Sequence, residues 1–168
     1  VIPNPPKKLL SDFRVKDFFA TKNLIHALFS FSNVSPTANR QQHKKQLHLN
    51  ERILSSFLSK FNENDFNDPF DGIIIIEGWN HFMCEYIKSI FNMPTYQRRN
   101  RVDVNAPTIL LENIKVEVTK VVERELNNNH SMYLRVLIIT SIANAVYKIA
   151  LQNDVFNNQS KQILAKDI

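Results

Sequence analysis

Glycine scarcity limits the folds open to this chain more than any other feature, because its 168 residues include only Gly72 and Gly78. A loop that cradles phosphate groups needs several glycines so that the backbone can approach the phosphates. Tight β-hairpins need glycine to supply positive backbone φ angles. A glycine-rich phosphate-binding loop is therefore excluded, and a fold built from many tight hairpins is disfavoured.

The length and composition are those of one globular domain, which we expect to span residues 1–168. Hydrophobic residues make up 43% and charged residues 22%, so a packed core is expected. The single cysteine, Cys84, cannot form an internal disulfide, which fits a reducing compartment. No apolar run approaches the ~20 residues of a membrane span, so we expect no membrane partner. The chain begins at Val1 rather than at Met, and we expect a fragment of a longer protein.

Three segments carry the apolar periodicity of helices. Residues 24–29 keep i, i+4 spacing, residues 47–61 have the clearest amphipathic pattern, and a third helix is expected from an N-cap at Ser131 to about residue 151. Residues 32–46 are polar and aperiodic, which predicts a flexible loop. The proline-rich residues 1–8 predict an extended lead-in.

Two segments have the patterns of β-strands. Four consecutive isoleucines at 73–76 predict a central strand buried on both faces, ended by Gly78 and followed by a helix to residue 91. The alternating segment IKVEV at 114–118 predicts a second strand, and residues 12–15 are a further candidate. Strand, turn and helix make half of a βαβ unit. The sequence therefore predicts an α/β fold, with a central, mostly parallel sheet flanked by helices.

No complete catalytic or metal-binding motif is present. The five histidines include no i, i+4 pair on one predicted helix with a third ligand nearby, so no metal site is predicted. Cys84 lies within an amphipathic helix and is expected to be a small core residue. We therefore predict a binding module with no metal, no cofactor and no small-molecule substrate, rather than an enzyme.

Four carboxylates leave a nuclease as an alternative. Glu77 follows the predicted strand, where α/β folds place functional groups, although it could equally cap the next helix or pair with a basic side chain. Asp65, Asp68 and Asp71 lie in an Asn-rich turn, where Asp is favoured for local hydrogen bonds. A divergent nuclease site would have to be rebuilt around these residues.

The positive charge of the chain suggests an anionic partner. The formal net charge is +5 and the pI is near 9.4, which is compatible with nucleic acid and equally with a solvated surface. Arg98, Arg99 and Arg101 form a candidate phosphate contact, because arginine forks match phosphate oxygens. An exposed charged loop is the alternative. Lys44 and Lys45 form a second, weaker patch.

Several segments, taken in order, resemble the second half of the XPF-type nuclease domain, over roughly residues 71–150. They are IIIIEG at 73–78, a helix, a basic linker, IKVEV at 114–118 and SMYLRVLIITSIANAVYK at 131–148. The resemblance implies an α/β nuclease core whose first strand would lie near residues 10–13. The helix-hairpin-helix domain that usually follows is not evident, because its hairpins need glycines that this chain lacks.

The motifs that cut DNA in active members of that family are missing. Active members carry a Gly-Asp pair and a Glu-Arg-Lys run followed by Asp. This chain has no Gly-Asp dipeptide, and neither ERI at 51–53 nor ERE at 123–125 restores the second motif. The resemblance therefore implies a degenerate, non-catalytic member. It is similar to the XPF-like subunit of fungal meiotic crossover complexes, or to the partner subunit of Mus-type junction endonucleases.

The resemblance also implies partners and a location. It implies a nuclear, chromosome-bound protein that pairs with an ERCC-like subunit and helps to bind branched DNA, the recombination intermediates of meiotic crossover formation. Surplus aromatic side chains on the helices would form the partner interface: Trp79, Phe82, Tyr86, Tyr133 and Tyr147. A protein-interaction scaffold without DNA binding and a divergent structure-specific endonuclease subunit are the alternatives.

Overall fold

The computed structural model describes residues 13–20, 22–30, 40–93, 106–126 and 130–152. Within these ranges the chain forms six α-helices and one short 3-10 helix, and it has no β-strand. The elements are α1 (Val15–Phe19), α2 (Lys22–Ser30), α3 (Arg40–Ser59), the 3-10 helix (Glu63–Phe66), α4 (Pro69–Phe91), α5 (Ala106–Glu125) and α6 (Met132–Gln152). The predicted α/β fold with a central sheet is therefore wrong, and the described part of the chain is all helical.

The isoleucine run lies inside helix α4, so the predicted strand at 73–76 is wrong. Asp68 is the N-cap of this helix, and its Oδ1 accepts a hydrogen bond of 2.8 Å from the Phe70 N–H. Pro69 occupies the first helical position, where its fixed φ angle and missing N–H suit a helix start. These two signals outweigh the β-preference of the isoleucines. Gly78 does not end a strand but lies in the interior of α4.

Helix α5 contains the segment that was predicted as the second strand. Ile114, Val118 and Val122 are buried and recur every four residues, which is the helical period. Val116, which strand alternation would place on the same face as Ile114 and Val118, is half exposed. The alternation in IKVEV was therefore a short coincidence within a longer helical stripe.

Helix α3 confirms the amphipathic helix predicted over residues 47–61 as far as Ser59, but it begins earlier. Residues 40–46, part of the predicted flexible loop, are helical, and residues 32–39 lie outside the described ranges. The buried side of the first turns carries His43, Gln46 and Asn50 rather than apolar residues. Hydrophobic periodicity could not detect a helical stripe made of polar side chains.

The remaining predicted elements have mixed outcomes. The helix over residues 24–29 is confirmed in α2. The helix that begins after Ser131 is confirmed in α6, where the Leu134 N–H donates to Ser131 Oγ at 3.3 Å. Val15, at the end of the candidate strand, is the first residue of α1. The lead-in at residues 1–8 lies outside the described ranges.

Helix α4 is the centre of the molecule, since it contacts every other described helix. The rings of Phe61 and Trp79 are 5.2 Å apart, and Asn50 donates to Ser89 at 3.0 Å, so α3 and α4 are antiparallel. A network of ring contacts fills the space between α1, α2, α3 and α4. Its members are Phe13, Phe18, Phe19, Phe29, Phe57, Phe61, Phe66, Trp79, Phe82, Tyr86 and Tyr133.

Helices α4 and α6 run parallel to each other. The rings of Phe66 and Tyr133, near the start of both helices, have centroids 5.4 Å apart. Further along, Asn144 Nδ2 donates to Asn80 Oδ1 at 3.4 Å. Both pairs advance in the same direction along the chain, which fixes the relative direction of the two helices. The two N-terminal ends therefore lie side by side.

Candidate interaction surface

Three of the aromatic residues predicted for the partner interface lie in the core. Trp79 and Phe82 are fully buried and Tyr86 is 4% exposed, so they cannot contact a partner while the fold is intact. Their role in this fold is to form the core. Tyr147 is half-buried on α6. Tyr133 is 56% exposed, and it alone among the five lies open at the surface.

The structure describes only part of the predicted DNA-binding set. Lys44 and Lys45 are exposed on the outer side of α3. Arg98, Arg99 and Arg101 lie outside the described residues. His48 and Arg52 follow Lys44 at four-residue steps, so the three exposed side chains lie on one face of α3.

Two of the clustered aspartates serve local structure, as expected for Asp in a turn, and the third joins two helices. Asp65 is buried and accepts a hydrogen bond of 3.5 Å from the Asn62 N–H, and Asp68 caps α4. Asp71 pairs with Lys16 of α1 at 3.0 Å. Among the described residues, no three His, Cys, Asp or Glu side chains converge as metal ligands. The described carboxylates therefore give no support to a rebuilt nuclease site that includes Glu77.

Cys84 is confirmed as a core residue. Its side chain is buried in α4, and burial raises the pKa of the thiol. A buried thiol with a raised pKa is a poor nucleophile, because the thiolate is the reactive form.

A buried polar chain joins α3 to α4 and was not visible in the sequence. Gln46 Nε2 donates to Asn50 Oδ1 at 2.8 Å, and Asn50 Nδ2 donates to Ser89 Oγ at 3.0 Å. Ser89 Oγ in turn donates to the Tyr86 carbonyl oxygen at 2.6 Å. Such a chain fixes the register of two helices, because sliding either one would leave buried amides unpaired.

Two cavities border the N-terminal half of α4 and α6. One, of 230 Å³, lies between α1, α2 and α4 and is lined by Phe19, Ile25 and Ile74, with Glu77 and His81 among its polar residues. Burial lowers the pKa of His81, which favours the neutral imidazole. The second, of 320 Å³, lies between α5 and α6. Its lining is Val122, Glu123, Leu126, Met132, Arg135, Val136, Ile139 and Thr140.

Five exposed apolar side chains lie on α4 and α6, two helices that pack against each other, and we call them the apolar seam. The exposed fractions are 77% for Phe70, 55% for Ile73, 40% for Ile76, 56% for Tyr133 and 54% for Val136. On α4, Ile73 and Ile76 precede Asn80 by seven and four residues, so they share the face that meets α6. On α6, Tyr133 lies three turns before Asn144 and one turn before Val136. The parallel packing brings the two sets together.

The isoleucine run explains why the seam is exposed. Successive residues of a helix point about 100° apart, so four consecutive isoleucines cover most of its circumference. Ile75 is fully buried and Ile74 is half-buried, whereas Ile73 and Ile76 are left at the surface. A helix over residues 73–76 predicts apolar side chains at the surface, whereas a strand buried on both faces predicts none.

Helix α6 is long and apolar enough to cross a membrane, with a mean hydropathy of 1.6 over its most apolar stretch. The expectation that no run approaches that length is therefore wrong for α6. Half of that stretch is buried inside the fold, where it packs on α4 and α5. A buried core helix has the same length and composition.

Comparison of the chain with protein-family models, with curated proteins and with solved structures finds no match. The resemblance to the XPF-type domain relied on strands at 73–78 and 114–118, and both segments are helical in α4 and α5. The order of elements that carried the resemblance is therefore not found in the described fold.

Proposed function

We propose that this chain is a helical protein-interaction module, and that the apolar seam is its binding surface. The observation that carries the proposal is the exposure of Phe70, Ile73, Ile76, Tyr133 and Val136 on two helices that pack against each other. Single exposed apolar residues are ordinary, but contiguous patches of large ones mark interaction sites.

The support beneath the seam suits a binding surface. Tyr133 rests on Phe66, whose ring contacts the buried Phe61 in turn. An aromatic side chain backed by core aromatics is held in place before a partner arrives, so little conformational entropy is lost on binding. Tyrosine is also among the residue types that contribute most to interfaces.

The proposal is tested by selecting a phage-displayed library of random 16-residue peptides on the protein. Selected peptides are then measured against the variant Ile73→Ser/Tyr133→Ser, with its helical content checked by circular dichroism. We expect enriched peptides whose affinity falls roughly tenfold or more in the variant, the loss typical of removing apolar anchors. Failure to enrich any peptide that depends on these two residues would refute the proposal.

A second candidate function is binding of nucleic acid through α3. Lys44, Lys45, His48 and Arg52 are exposed on its outer side, and Lys44 to Arg52 spans eight residues, about 12 Å of helix. A basic stripe of that kind suits contact with phosphates, which fix position rather than read sequence. This is the observation that favours a nucleic-acid partner.

Fluorescence anisotropy with a labelled four-way junction and a matched linear duplex, across a salt series, tests the second candidate. Lys44→Gln/Arg52→Gln should weaken binding to both, and it should lower the slope of log K against log salt by roughly one per lost phosphate contact. Glu112→Gln on α5 is a control substitution outside the stripe. An unchanged slope in the double variant would remove α3 as the contact, and preference for the junction would favour branched DNA.

A further inference from the structure

We infer that the occupant of the apolar seam is a basic amphipathic segment of a partner protein; the inference rests on the proposed function. The first observation is one of charge. Between Lys60 and Lys88 the chain has no lysine or arginine, although its net charge is +5. The same stretch carries six acidic residues, namely Glu63, Asp65, Asp68, Asp71, Glu77 and Glu85.

Three of these acids are buried or lie close to a cationic side chain, and three are not. The first three are Asp65, which is buried, Asp71, which pairs with Lys16 at 3.0 Å, and Glu85, which lies 3.7 Å from His26. Glu63, Asp68 and Glu77 are exposed, and none has an ion-pair partner among the described residues. The surface here therefore carries negative charge that no described side chain neutralises through an ion pair.

Two of the unneutralised acids border the apolar seam. Glu77 follows Phe70 by seven residues and Ile73 by four, so it lies on the same face of α4. Asp68 precedes Phe70 by two residues, at the N-terminal end of that helix. On α4, the apolar seam thus has Asp68 before its first residue and Glu77 after its last. An occupant that is apolar in the middle and basic at its margins complements both features.

The same charges argue against two other occupants. In a symmetric pair of these chains, the seam of one copy would face the seam of the other, which would bring like carboxylates together. A membrane surface that contains anionic lipids would repel Asp68 and Glu77 in the same way. A partner protein with the opposite charge meets neither obstacle.

The direct test uses defined peptide probes. A fluorescein-labelled 18-residue peptide with leucine on one helical face and lysine on the other is titrated with the full chain by anisotropy. A leucine–glutamate peptide and a serine–lysine peptide of the same length separate the apolar from the electrostatic contribution. We expect the leucine–lysine peptide to bind tightest by roughly tenfold, since it alone matches both features of the seam.

Variants then assign that binding to the seam. Asp68→Asn/Glu77→Gln removes the charge at both limits, and asparagine remains a good N-cap for α4. This variant should lower the affinity for the leucine–lysine peptide roughly three- to tenfold. The α5 control Glu112→Gln/Glu117→Gln has the same change in net charge and should leave that affinity unchanged. Phe70→Ser should also lower the affinity for this peptide. It replaces Ile73→Ser/Tyr133→Ser as the apolar variant if that double variant loses its helical signal.

Several results would overturn the inference. They are equal binding of the three peptides, equal loss in the α5 control, seam-dependent self-association in sedimentation, and seam-dependent binding to phosphatidylserine vesicles. The library selection separates this inference from the proposed function. Seam-dependent peptides that lack basic residues would refute the inference and leave the function standing. No seam-dependent peptide at all would refute both.

Discussion

At the scale of single residues, Gly78 sets how closely two helices approach. A Cβ atom at this position would lie 2.7 Å from Cβ of Phe19, inside the distance that real Cβ atoms keep. Because Phe19 Cβ is tied to the backbone of α1, a change of rotamer cannot relieve the overlap. Gly72, in the same helix, would bring its Cβ to 3.4 Å from Cδ1 of Phe66, which is close to ordinary contact. The two glycines of the chain thus have different roles.

Substituting each glycine by alanine should move stability in opposite directions. Gly78→Ala should lower the free energy of unfolding by about 1–3 kcal/mol, because overpacking forces α1 away from α4. Gly72→Ala should raise it by about 0.5–1 kcal/mol, because alanine favours a helix more than glycine does. Urea denaturation followed by circular dichroism measures both. Equal stabilities of the two variants would show that α1 does not pack on Gly78.

Asp65 gives stability a dependence on pH. Burial, the largest cause, raises the pKa of this carboxyl above its ordinary value of 3.8, while the Asn62 N–H and nearby cations partly oppose the rise. A raised pKa means that the folded protein binds this proton more tightly than the unfolded chain. The contribution of Asp65 is therefore most favourable below pH 3.8 and is lost as the pH rises through the folded pKa.

Replacing Asp65 by asparagine should remove that dependence. The amide oxygen can still accept from the Asn62 N–H, but it carries no charge to bury. We expect Asp65→Asn to be more stable than the wild type at pH 7, with the difference shrinking towards zero as the pH falls to 4. Thermal melts across that range measure it, with Glu123→Gln, an exposed position on α5, as the control. A difference that does not change with pH would contradict the assignment.

At the scale of elements, the sequence predicted a helix where a buried apolar stripe contained no strand-like segment, as in residues 24–29, 47–61 and 131–151. It failed where local signals conflicted or where the stripe was polar. Four isoleucines favour a strand by propensity, and only the Asp68-Pro69 start and the continued burial through Phe91 show that they belong to a helix. Propensity is a weak prior that tertiary packing overrides. The seam was missed for the same reason, because a strand buried on both faces has no exposed side.

The buried amides of α3 provide a test of what holds it against α4. Asn50→Leu should lower the free energy of unfolding by about 1–3 kcal/mol, because it leaves Gln46 Nε2 buried without its acceptor. The double change Gln46→Leu/Asn50→Leu removes both partners and should recover most of that loss. A double-mutant cycle by urea denaturation measures the coupling. Purely additive losses would show that the amides do not act together.

At the scale of the whole molecule, the all-helical core depends on one central helix. Trp79 and Cys84 both lie in α4, and Trp79 contacts Phe19 of α1, Phe61, which follows α3, and Phe82 of α4 itself. Loss of α4 would expose most of the aromatic core at once. We infer that the described helices unfold together rather than in separate parts.

Cooperative unfolding makes three probes report one transition. Trp79 is the single tryptophan, so a red shift of its fluorescence emission marks its exposure to water. Cys84 is the single thiol and is buried, so it should react with a thiol reagent only when α4 unfolds. Circular dichroism at 222 nm follows the helices as a whole. Because α4 contacts every other described helix, the midpoints in urea for emission, thiol reaction and helicity should coincide within experimental error. If helicity falls first, while Trp79 and Cys84 remain protected, then the outer helices separate from a surviving α4 core, and the seam between α4 and α6 would have to be sought in a partly unfolded state.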